Sequence, residues 1–433
     1  MIRILFLLLI LTSCAVNRTA PLGFNEQDVN KIINTLASDD FRGRAIFTEG
    51  IEKAANFIAD EFKQAGLQPL ESSDGKGFRQ SFEAIQIRPS QCEVLIDGKA
   101  LQEDSWIVIS DQAGLSWNTD PTVVVTSIDR GEDFRQKYRE ILKRKENTLI
   151  VVDENFTKEF NYLRQYAGNG RILIDEGQIN KTSFVFVLGK QKPKSFRVNY
   201  SGTVEKKELT NIVGVLPGKS KPTEYVVFSG HYDHLGIVKA VGQDSIANGA
   251  DDDASGVTAV ISLANVFSKM NSNERTLIFV AFTAEESGGF GSQYFSKQID
   301  PAQVIAMVNI EMIGKDSKFG PNSMYITGFE KSDLGKILQD NVKNTGFSFH
   351  PDPYPEQQLF YRSDNATLAA LGVPAHTVST VQIDKDMYYH TVHDEVKTLD
   401  IKNINSSIKA IALGTRSIVE GKDTPTRIEP LQN

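Results

Sequence analysis

Residues 224–236 of this 433-residue chain read EYVVFSGHYDHLG, an apolar run that ends in a polar turn. The first part, Glu224–Ser229, has the length and the β-branched and aromatic content of a strand. The turn then places His231 and Asp233 just after that strand. In open α/β sheets, ligands bind at this edge. The stretch therefore predicts a strand of the fold together with the start of a site.

Strand and helix patterns alternate on both sides of this stretch. The predicted strands are Asn211–Leu216, Glu224–Ser229, Thr276–Phe282 and Val304–Met312. The predicted helices are Ala254–Met270, Lys331–Asn344 and Ile401–Ile418. Such alternation predicts an α/β domain with a largely parallel or mixed central sheet.

The chain before this domain has two different textures. Residues 25–79 have a helical pattern, with apolar Val29, Ile32, Ile33 and Leu36 at helical spacing. Residues 80–208 contain short β-rich runs around one helical stretch and carry no chemical motif, which predicts a β-rich inserted accessory domain. The α/β domain then covers residues 209–421, and residues 422–433 form a tail.

The composition excludes several classes of protein. Hydrophobic residues make up 40% and charged residues 24%, as in ordinary globular proteins rather than disordered chains or coiled coils. The net charge of −8 gives no electrostatic footprint for nucleic acid. The two cysteines, Cys14 and Cys92, exclude a disulfide scaffold and a clustered-cysteine zinc site.

The amino terminus predicts export. The apolar run Ile4–Leu11 is too short to span a bilayer, which needs about 20 residues. It ends in Leu11–Cys14 (LTSC), which resembles the lipobox of bacterial lipoproteins. The resemblance implies a signal peptide at 1–13, lipid attachment to Cys14 and a tether at 14–24, whereas a plain signal peptide is the alternative. We expect a cell-envelope protein on the periplasmic or outer-membrane surface, attached to the membrane only through the anchor.

Five short polar segments follow apolar runs in the α/β domain. They are Gly230–Gly236 (GHYDHLG), Gly249–Gly256 (GADDDASG), Ala284–Gly288 (AEESG), Asn309–Gly314 (NIEMIG) and Tyr389–Thr391 (YHT). Most have an alternative structural explanation, since acids cap helix starts and adjacent acids occur in solvated turns. Glu311 is harder to explain, because a carboxylate in an apolar stretch needs a partner charge, hydrogen bonds or a metal.

In this order, the five segments resemble the M28 family of zinc-dependent aminopeptidases. The resemblance covers residues 209–421 and the amino-terminal stretch Leu36–Arg44. It implies a three-layer α/β/α, zinc exopeptidase-like domain that acts on peptides, and it leaves the oligomeric state open. The middle region stands where some relatives carry a protease-associated domain, but its own pattern does not match that domain.

The resemblance also implies two zinc ions per chain. His231 would bind one ion and His390 the other. Asp251 would bridge the two ions, and Glu286 and Glu311 would each complete one set of ligands. Position 311 is commonly aspartate in relatives, so the extra methylene of glutamate leaves the reach of this ligand open.

Catalytic roles follow from the same motifs. Glu285 would be the general base that takes a proton from a metal-activated water. Asp233 would orient His231, as partners of metal-bound histidines commonly do. The resemblance further implies a cis peptide between Asp251 and Asp252.

Other polar residues near the motifs have less defined roles. Asp252, Asp364 and Tyr361 are candidates for supporting the ligands or contacting substrate; Asp364 is followed by asparagine where many relatives have histidine. His234 and His393 stand beside the predicted ligands. We expect these two histidines to be loop or supporting residues rather than metal ligands.

Zinc chemistry supports the dinuclear hypothesis. Zinc accepts imidazole nitrogen and carboxylate oxygen without cysteine. Two alternatives remain: a single-zinc glutaminyl cyclase-like acyltransferase, and a lipid-anchored binding module without catalysis. The doubled aspartate Asp251-Asp252, which such cyclases lack, favours two metals and hydrolysis. A degenerate binding module should have lost a ligand or the base, yet every role has an occupant.

Overall fold

The computed structural model describes residues 25–70, 77–167, 170–174 and 179–431. The predicted signal peptide, the tether and the lipidation site Cys14 lie outside the described residues. Within these ranges, no helix has the length and apolar character of a membrane span. Cys92 is a free, partly buried thiol.

The secondary structure alternates strands and helices after residue 211. The strands are β1 (Gln68–Pro69), β2 (Arg79–Ile96), β3 (Lys99–Ala100), β4 (Trp106–Ile109), β5 (Gly114–Asn118), β6 (Val124–Ile128), β7 (Thr148–Val152), β8 (Arg171–Leu173), β9 (Phe184–Leu188), β10 (Phe196–Leu216), β11 (Lys221–His231), β12 (Gly236–Val241), β13 (Asp244–Ala247), β14 (Arg275–Phe282), β15 (Val304–Ile310), β16 (Ser323–Ile326), β17 (Ser348–Pro351) and β18 (Ala375–Ser379). The helices are α1 (Glu26–Leu36), α2 (Glu49–Gln64), α3 (Phe134–Leu142), α4 (Thr157–Ala167), α5 (Gly256–Met270), α6 (Phe290–Gln298), α7 (Leu334–Asn341), α8 (Asn365–Ala370), α9 (Ile401–Gly414) and α10 (Arg416–Val419).

The central sheet is mixed, with a parallel centre. Its strand order is β17-β16-β18-β15-β11-β14-β10-β2-β3. Strands β18, β15, β11 and β14 are parallel, whereas β10 runs antiparallel to β14 and β2 antiparallel to β10. Every residue of β14 is buried, as expected for a strand that is covered by helices on both faces.

Helices cover both faces of this sheet. One face packs against α1, α2, α5 and α9, and the predicted apolar positions Val29, Ile32, Ile33 and Leu36 of α1 are buried there. The other face packs against α6 and α8 in a smaller core. These layers form a three-layer α/β/α domain, as the resemblance implied.

The accessory region is an α/β unit joined to the main sheet by continuous strands. Its own sheet has the order β4-β9-β7-β6. One face packs on α3 and α4, and the other packs on the outer halves of β2 and β10 with β5. The predicted boundary at residue 208 lies inside β10, and residue 80 lies inside β2. The region predicted as β-rich contains the two helices α3 and α4 besides its strands. Within the described residues, β2 and β10 join it to the central sheet without a linker.

The parallel strands direct polar residues to one edge of the sheet. His231 is the last residue of β11, and Glu311 directly follows β15. Glu285 and Glu286 follow β14 in a short turn, and Asp252 lies in the turn that precedes α5. Because the carboxyl ends of parallel strands share an edge, this edge collects the candidate site.

Candidate metal centre

Imidazole and carboxylate side chains converge around Asp252. Its Oδ1 lies 3.1 Å from His231 Nε2, and its Oδ2 lies 3.2 Å from His390 Nε2. Glu311 Oε1 is 3.5 Å from His231 Nε2, and Glu286 Oε2 is 3.0 Å from His390 Nε2. The structure thus brings together four of the five predicted ligands, and the Asp252 carboxylate lies between them.

The ligand atoms fall into two groups that share Asp252. One group is His231, Asp252 and Glu311, and the other is His234, Asp252 and Glu286. Within each group the potential ligand atoms lie within 4.8 Å of one another. Two groups joined by one carboxylate are the arrangement that a dinuclear site requires.

Several of these buried atoms lack a hydrogen bond of acceptable geometry within the described part of the chain. They are His231 Nε2, His234 Nδ1, His234 Nε2, Asp252 Oδ1, Glu286 Oε1 and His390 Nε2. Buried polar groups are normally hydrogen-bonded, so unpartnered atoms that face one another need another explanation. Imidazole nitrogens and carboxylate oxygens are the atoms that bind zinc, and the residues present therefore fit the predicted metal.

The prediction that Asp251 bridges two metals is wrong. Asp251 is fully buried, and its Oδ1 accepts a hydrogen bond of 2.7 Å from the backbone N–H of Gly314. Its Oδ2 lies 3.3 Å from Lys315 Nζ, outside both groups. Burial, with a contribution from Asp394, raises the pKa of Asp251 to about 7. The cis peptide also lies one bond later than expected, between Asp252 and Asp253.

Asp394 and Asp253 hold the acidic turn in place. The Asp394 carboxylate accepts hydrogen bonds from the backbone N–H groups of Asp251 and Asp252 at 3.0–3.1 Å. Asp253 accepts from Gly256 N at 3.0 Å and from His231 N at 3.2 Å. Asp394 was not among the predicted site residues, although its place just after the histidine motif Tyr389–Thr391 could have marked it.

Asp233 positions the turn that carries the predicted base. Its carboxylate accepts hydrogen bonds from Glu285 N at 3.0 Å and Glu286 N at 3.3 Å. The His231 Nδ1 faces the backbone carbonyl of Asp233 at 3.1 Å, whereas the nearer carboxylate oxygen is 3.8 Å away. Asp233 therefore orients His231 through its main chain, and its side chain serves the glutamates instead.

The electrostatics of Glu285 suit proton transfer. Burial raises the pKa of Glu285 well above its usual range, and Glu311 and Asp364 add to the increase against the opposing effect of His231. Burial also raises the pKa of Asp364 to about 7. A carboxylate whose pKa is raised is a stronger base than an ordinary one, which suits a group that must take up a proton.

Glu311, although one methylene longer than the aspartate common at this position, is held with its carboxylate in the first group. Ser363 Oγ donates a hydrogen bond to Glu311 Oε2, and Asn309 Nδ2 donates to Ser363 Oγ at 2.8 Å. The side chain of Glu311 remains 19% exposed, so it lies at the open side of the site. The Asn309–Ser363 pair fixes the longer side chain where it approaches His231.

The remaining candidates lie in different environments. Tyr361 is 41% exposed and contacts the Phe360 ring, and no contact joins it to the metal groups among the described residues. His393 is exposed, as expected for a loop residue. His234, which was expected to be a loop or supporting residue, has a fully buried imidazole whose Nδ1 lies 2.7 Å from Glu286 Oε1.

A buried arginine joins the amino-terminal part to the site. Arg44 donates hydrogen bonds to four backbone carbonyls, those of Leu36, Tyr232, Asn248 and Gly249, at 2.5–2.9 Å. Burial lowers the pKa of Arg44 to about 10, opposed by neighbouring carboxylates. The sequence marked the stretch Leu36–Arg44 only through resemblance and did not reveal this role.

Comparison with known sequences identifies the part of the chain that carries the site. Residues 211–414 match the sequence profile of Peptidase family M28. A probable zinc metalloprotease from Pyrenophora tritici-repentis is 34% identical over 138 residues, which cover 31% of this chain and 29% of the relative. A probable zinc metalloprotease from Pyrenophora teres f. teres is 33% identical over 147 residues, covering 34% and 28%. The matched segment thus spans less than a third of these curated relatives.

Comparison with solved structures covers nearly the whole chain. An aminopeptidase from Aneurinibacillus sp. strain AM-1 is similar with a TM-score of 0.58 at 16% identity, covering 94% of this chain and 97% of that one. BSAP, a zinc aminopeptidase from Bacillus subtilis, is similar with a TM-score of 0.59 at 16% identity, covering 94% and 98%. At this identity the likeness shows the fold, and it confirms the predicted α/β class.

Proposed function

Residues 211–414 form a Peptidase family M28 domain, and on this premise we propose that the protein is a dinuclear zinc aminopeptidase that removes N-terminal residues from peptides. The observation that carries the proposal is the position of Asp252 between two groups of imidazole and carboxylate ligands. The names of the relatives, probable zinc metalloproteases and zinc aminopeptidases, support the choice of metal and reaction.

The described residues supply a ligand set for two ions. His231 and Glu311 would hold one ion, His390 and Glu286 the other, and Asp252 would bind both. Three carboxylates offset three of the four positive charges. When bound, two zinc ions activate water and polarise a peptide carbonyl. Burial opposes ionisation of Asp252, but the imidazoles of His231 and His390 outweigh it and hold its pKa well below the usual range.

Glu285 would move the proton in this reaction. Its backbone N–H donates to the Asp233 carboxylate at 3.0 Å, which holds Glu285 in the turn after β14 at the edge of the sheet that carries the ligands. It would accept a proton from the attacking water and deliver it to the leaving amine. General acid–base catalysis of this kind contributes about 10²–10⁴-fold to rate.

Two measurements test the proposal. Purified protein reconstituted with zinc should release amino acids from peptides with a free amino terminus, and acetylated versions of the same peptides should not react. Metal analysis should give two zinc ions per chain, and Glu285→Gln should retain both while losing activity by about 10²-fold or more. Equal cleavage of acetylated peptides would overturn the aminopeptidase assignment. One zinc per chain would favour the cyclase-like alternative.

From the amino-terminal sequence we also propose attachment to the bacterial cell envelope through a lipid on Cys14. The lipobox-like segment Leu11–Cys14 supports this proposal. Cells that produce the full chain should incorporate labelled palmitate into it, and Cys14→Ser should abolish the label. Undiminished labelling of Cys14→Ser would refute the attachment site.

A further inference from the structure

The site contains one histidine more than the resemblance implies. We propose that His234 is an additional metal ligand, so that one position of the centre has four protein ligands and the other has three. The four would be His234, His390, Glu286 and Asp252, and the three would be His231, Glu311 and Asp252. This inference rests on the proposed dinuclear function and makes its two metal positions unequal.

The position of the His234 ring supports ligation. Its Nδ1 lies 2.7 Å from Glu286 Oε1 and 3.8 Å from Asp252 Oδ2. Glu286 therefore presents one carboxylate oxygen to His234 and the other to His390. The two imidazole rings meet edge to face with centroids 5.8 Å apart, so they approach the same carboxylate from different directions.

The glycine at position 249 leaves room for this ring. Gly249 has a left-handed backbone with φ of 57°, and a Cβ at this residue would lie 2.2 Å from the carbonyl oxygen of Asp252 and 2.5 Å from two ring carbons of His234. The backbone N–H of His234 donates to the carbonyl of Arg44 at 3.3 Å. A side chain at position 249 would therefore disturb both the Asp252 turn and the position of the imidazole.

A structural histidine in the same domain shows the contrast. His376 is also buried, but its Nδ1 faces Thr327 O at 2.8 Å and its Nε2 faces Ser332 Oγ at 2.7 Å. Neither ring nitrogen of His234 has a hydrogen bond of acceptable geometry within the described residues. Two hydrogen bonds thus account for His376, whereas His234 has two buried ring nitrogens that a metal would explain.

The unequal ligand count has a chemical consequence. Zinc with four protein ligands is usually structural, whereas zinc with three keeps a position for water or substrate. The His234 group would therefore bind its metal more tightly, and the group of His231, Glu311 and Asp252 would keep the open position.

Titration of metal-free protein with zinc tests this inference. Wild-type protein should show two dissociation constants, and His234→Ala should weaken the tighter one at least tenfold while the other stays within about twofold. His393→Ala is the matched control, because His393 is exposed and three residues from a predicted ligand. With Co²⁺ as a spectroscopic probe, His234→Ala should also change the visible absorption of the first ion bound, whereas His393→Ala should not.

A second variant separates ligation from packing. His234→Leu fills similar space without a donor atom, and circular dichroism would show whether each variant is folded. Wild-type zinc affinities and an unchanged cobalt spectrum in folded His234→Leu would overturn the inference. If wild-type protein bound a single zinc, the dinuclear proposal would fail. His234 ligation would then be supported by loss of that affinity in the variants and overturned by its retention.

Discussion

Replacing Arg44 with methionine should destabilise the protein and weaken its metal centre together. The guanidinium donates to the carbonyls of Leu36, Tyr232, Asn248 and Gly249 at 2.5–2.9 Å and is almost fully buried. Methionine keeps the apolar stem of the side chain and removes every donor. Four buried carbonyl groups would lose an ionic hydrogen-bond donor at once.

The magnitude follows from these contacts. A hydrogen bond to a charged group contributes about 1.5–3 kcal/mol, but contacts of one side chain are not additive, and removing a buried charge recovers some desolvation energy. We therefore expect the free energy of unfolding to fall by about 3–5 kcal/mol, a large part of the 5–15 kcal/mol typical of a native protein. Two of the carbonyls that Arg44 holds, those of Tyr232 and Gly249, lie close in the chain to the ligands His231 and Asp252. Zinc affinity should therefore also fall about 10–100-fold, as it does when other contacts that support metal ligands are lost.

Arg275 provides a matched control at the start of β14. It is equally buried and donates to the Glu224 carboxylate and to the carbonyls of Ile418 and Asp423 at 2.5–2.7 Å. Arg275→Met should lose comparable stability in urea unfolding of the metal-free protein, with zinc affinity unchanged in a chelator competition. The reasoning would be refuted if Arg44→Met kept wild-type zinc affinity, or if Arg275→Met lowered that affinity equally.

Further predictions concern the support of Glu311, a buried histidine and the free thiol. Ser363→Ala should weaken the binding of one zinc about tenfold in a chelator competition, because Ser363 donates to the Glu311 carboxylate. Burial lowers the pKa of His376 to about 4, so protonation favours the unfolded chain, whose histidine pKa is near 6.5. The stabilisation from the neutral His376 is complete above pH 6.5 and is lost toward pH 4. The free energy of unfolding of metal-free protein in urea should therefore fall by about 2 kcal/mol between pH 7 and pH 5. Burial raises the pKa of the Cys92 thiol to about 12, so a thiol reagent at pH 8 should react slowly with the folded protein and rapidly in urea.

Each of these predictions has a direct control. Ser363→Thr retains the hydroxyl and should bind zinc nearly as wild type does, and wild-type affinity in Ser363→Ala would contradict the role of the hydroxyl. His376→Gln should lose less stability between pH 7 and pH 5 than wild type, and an equal loss would place the pH dependence elsewhere. Labelling of folded Cys92 as fast as in urea would contradict its protected state.

The position of the site could be predicted because parallel strands bring distant segments together. His231, Glu286 and Glu311 each follow an apolar strand of the α/β pattern, and such strands end at one edge of the sheet. His390 follows no strand and was assigned through the resemblance alone. The structure places all four near Asp252. Their closeness in space comes from the order of the strands in the sheet and not from their distances in the sequence.

The choice among three consecutive aspartates could not be predicted in the same way. Asp251, Asp252 and Asp253 have the same chemistry, and the turn that contains them lacks the periodicity of a strand or helix. Their directions depend on backbone hydrogen bonds to Asp394, a residue more than a hundred positions away. Arg44 escaped prediction for a similar reason, because its partners are backbone carbonyls that leave no trace in side-chain pattern.

The predicted domain boundaries at residues 80 and 208 fall inside strands for a different physical reason. A boundary is recognised in sequence by a linker, but β2 and β10 continue from the main sheet into the accessory region without one. The pattern of buried and exposed residues changes along each strand, although the backbone pairing between the two strands continues. The register shift between Ser201 and Gly202 is the local irregularity in this pairing, and it lies well before the predicted boundary.

The three aspartates show how one short segment separates structural from chemical roles. Asp251 is neutralised by Lys315 and by backbone donors, and Asp253 is engaged by the backbone N–H groups of Gly256 and Met312. Asp252 has its backbone N–H fixed by Asp394, while its carboxylate faces imidazoles on both sides. Because its neighbours take up the available cation and donors, Asp252 is the carboxylate of this turn left to bind an external cation. The contacts of Asp251 and Asp253 thus make the turn rigid, and the same contacts leave the carboxylate of Asp252 to bind metal.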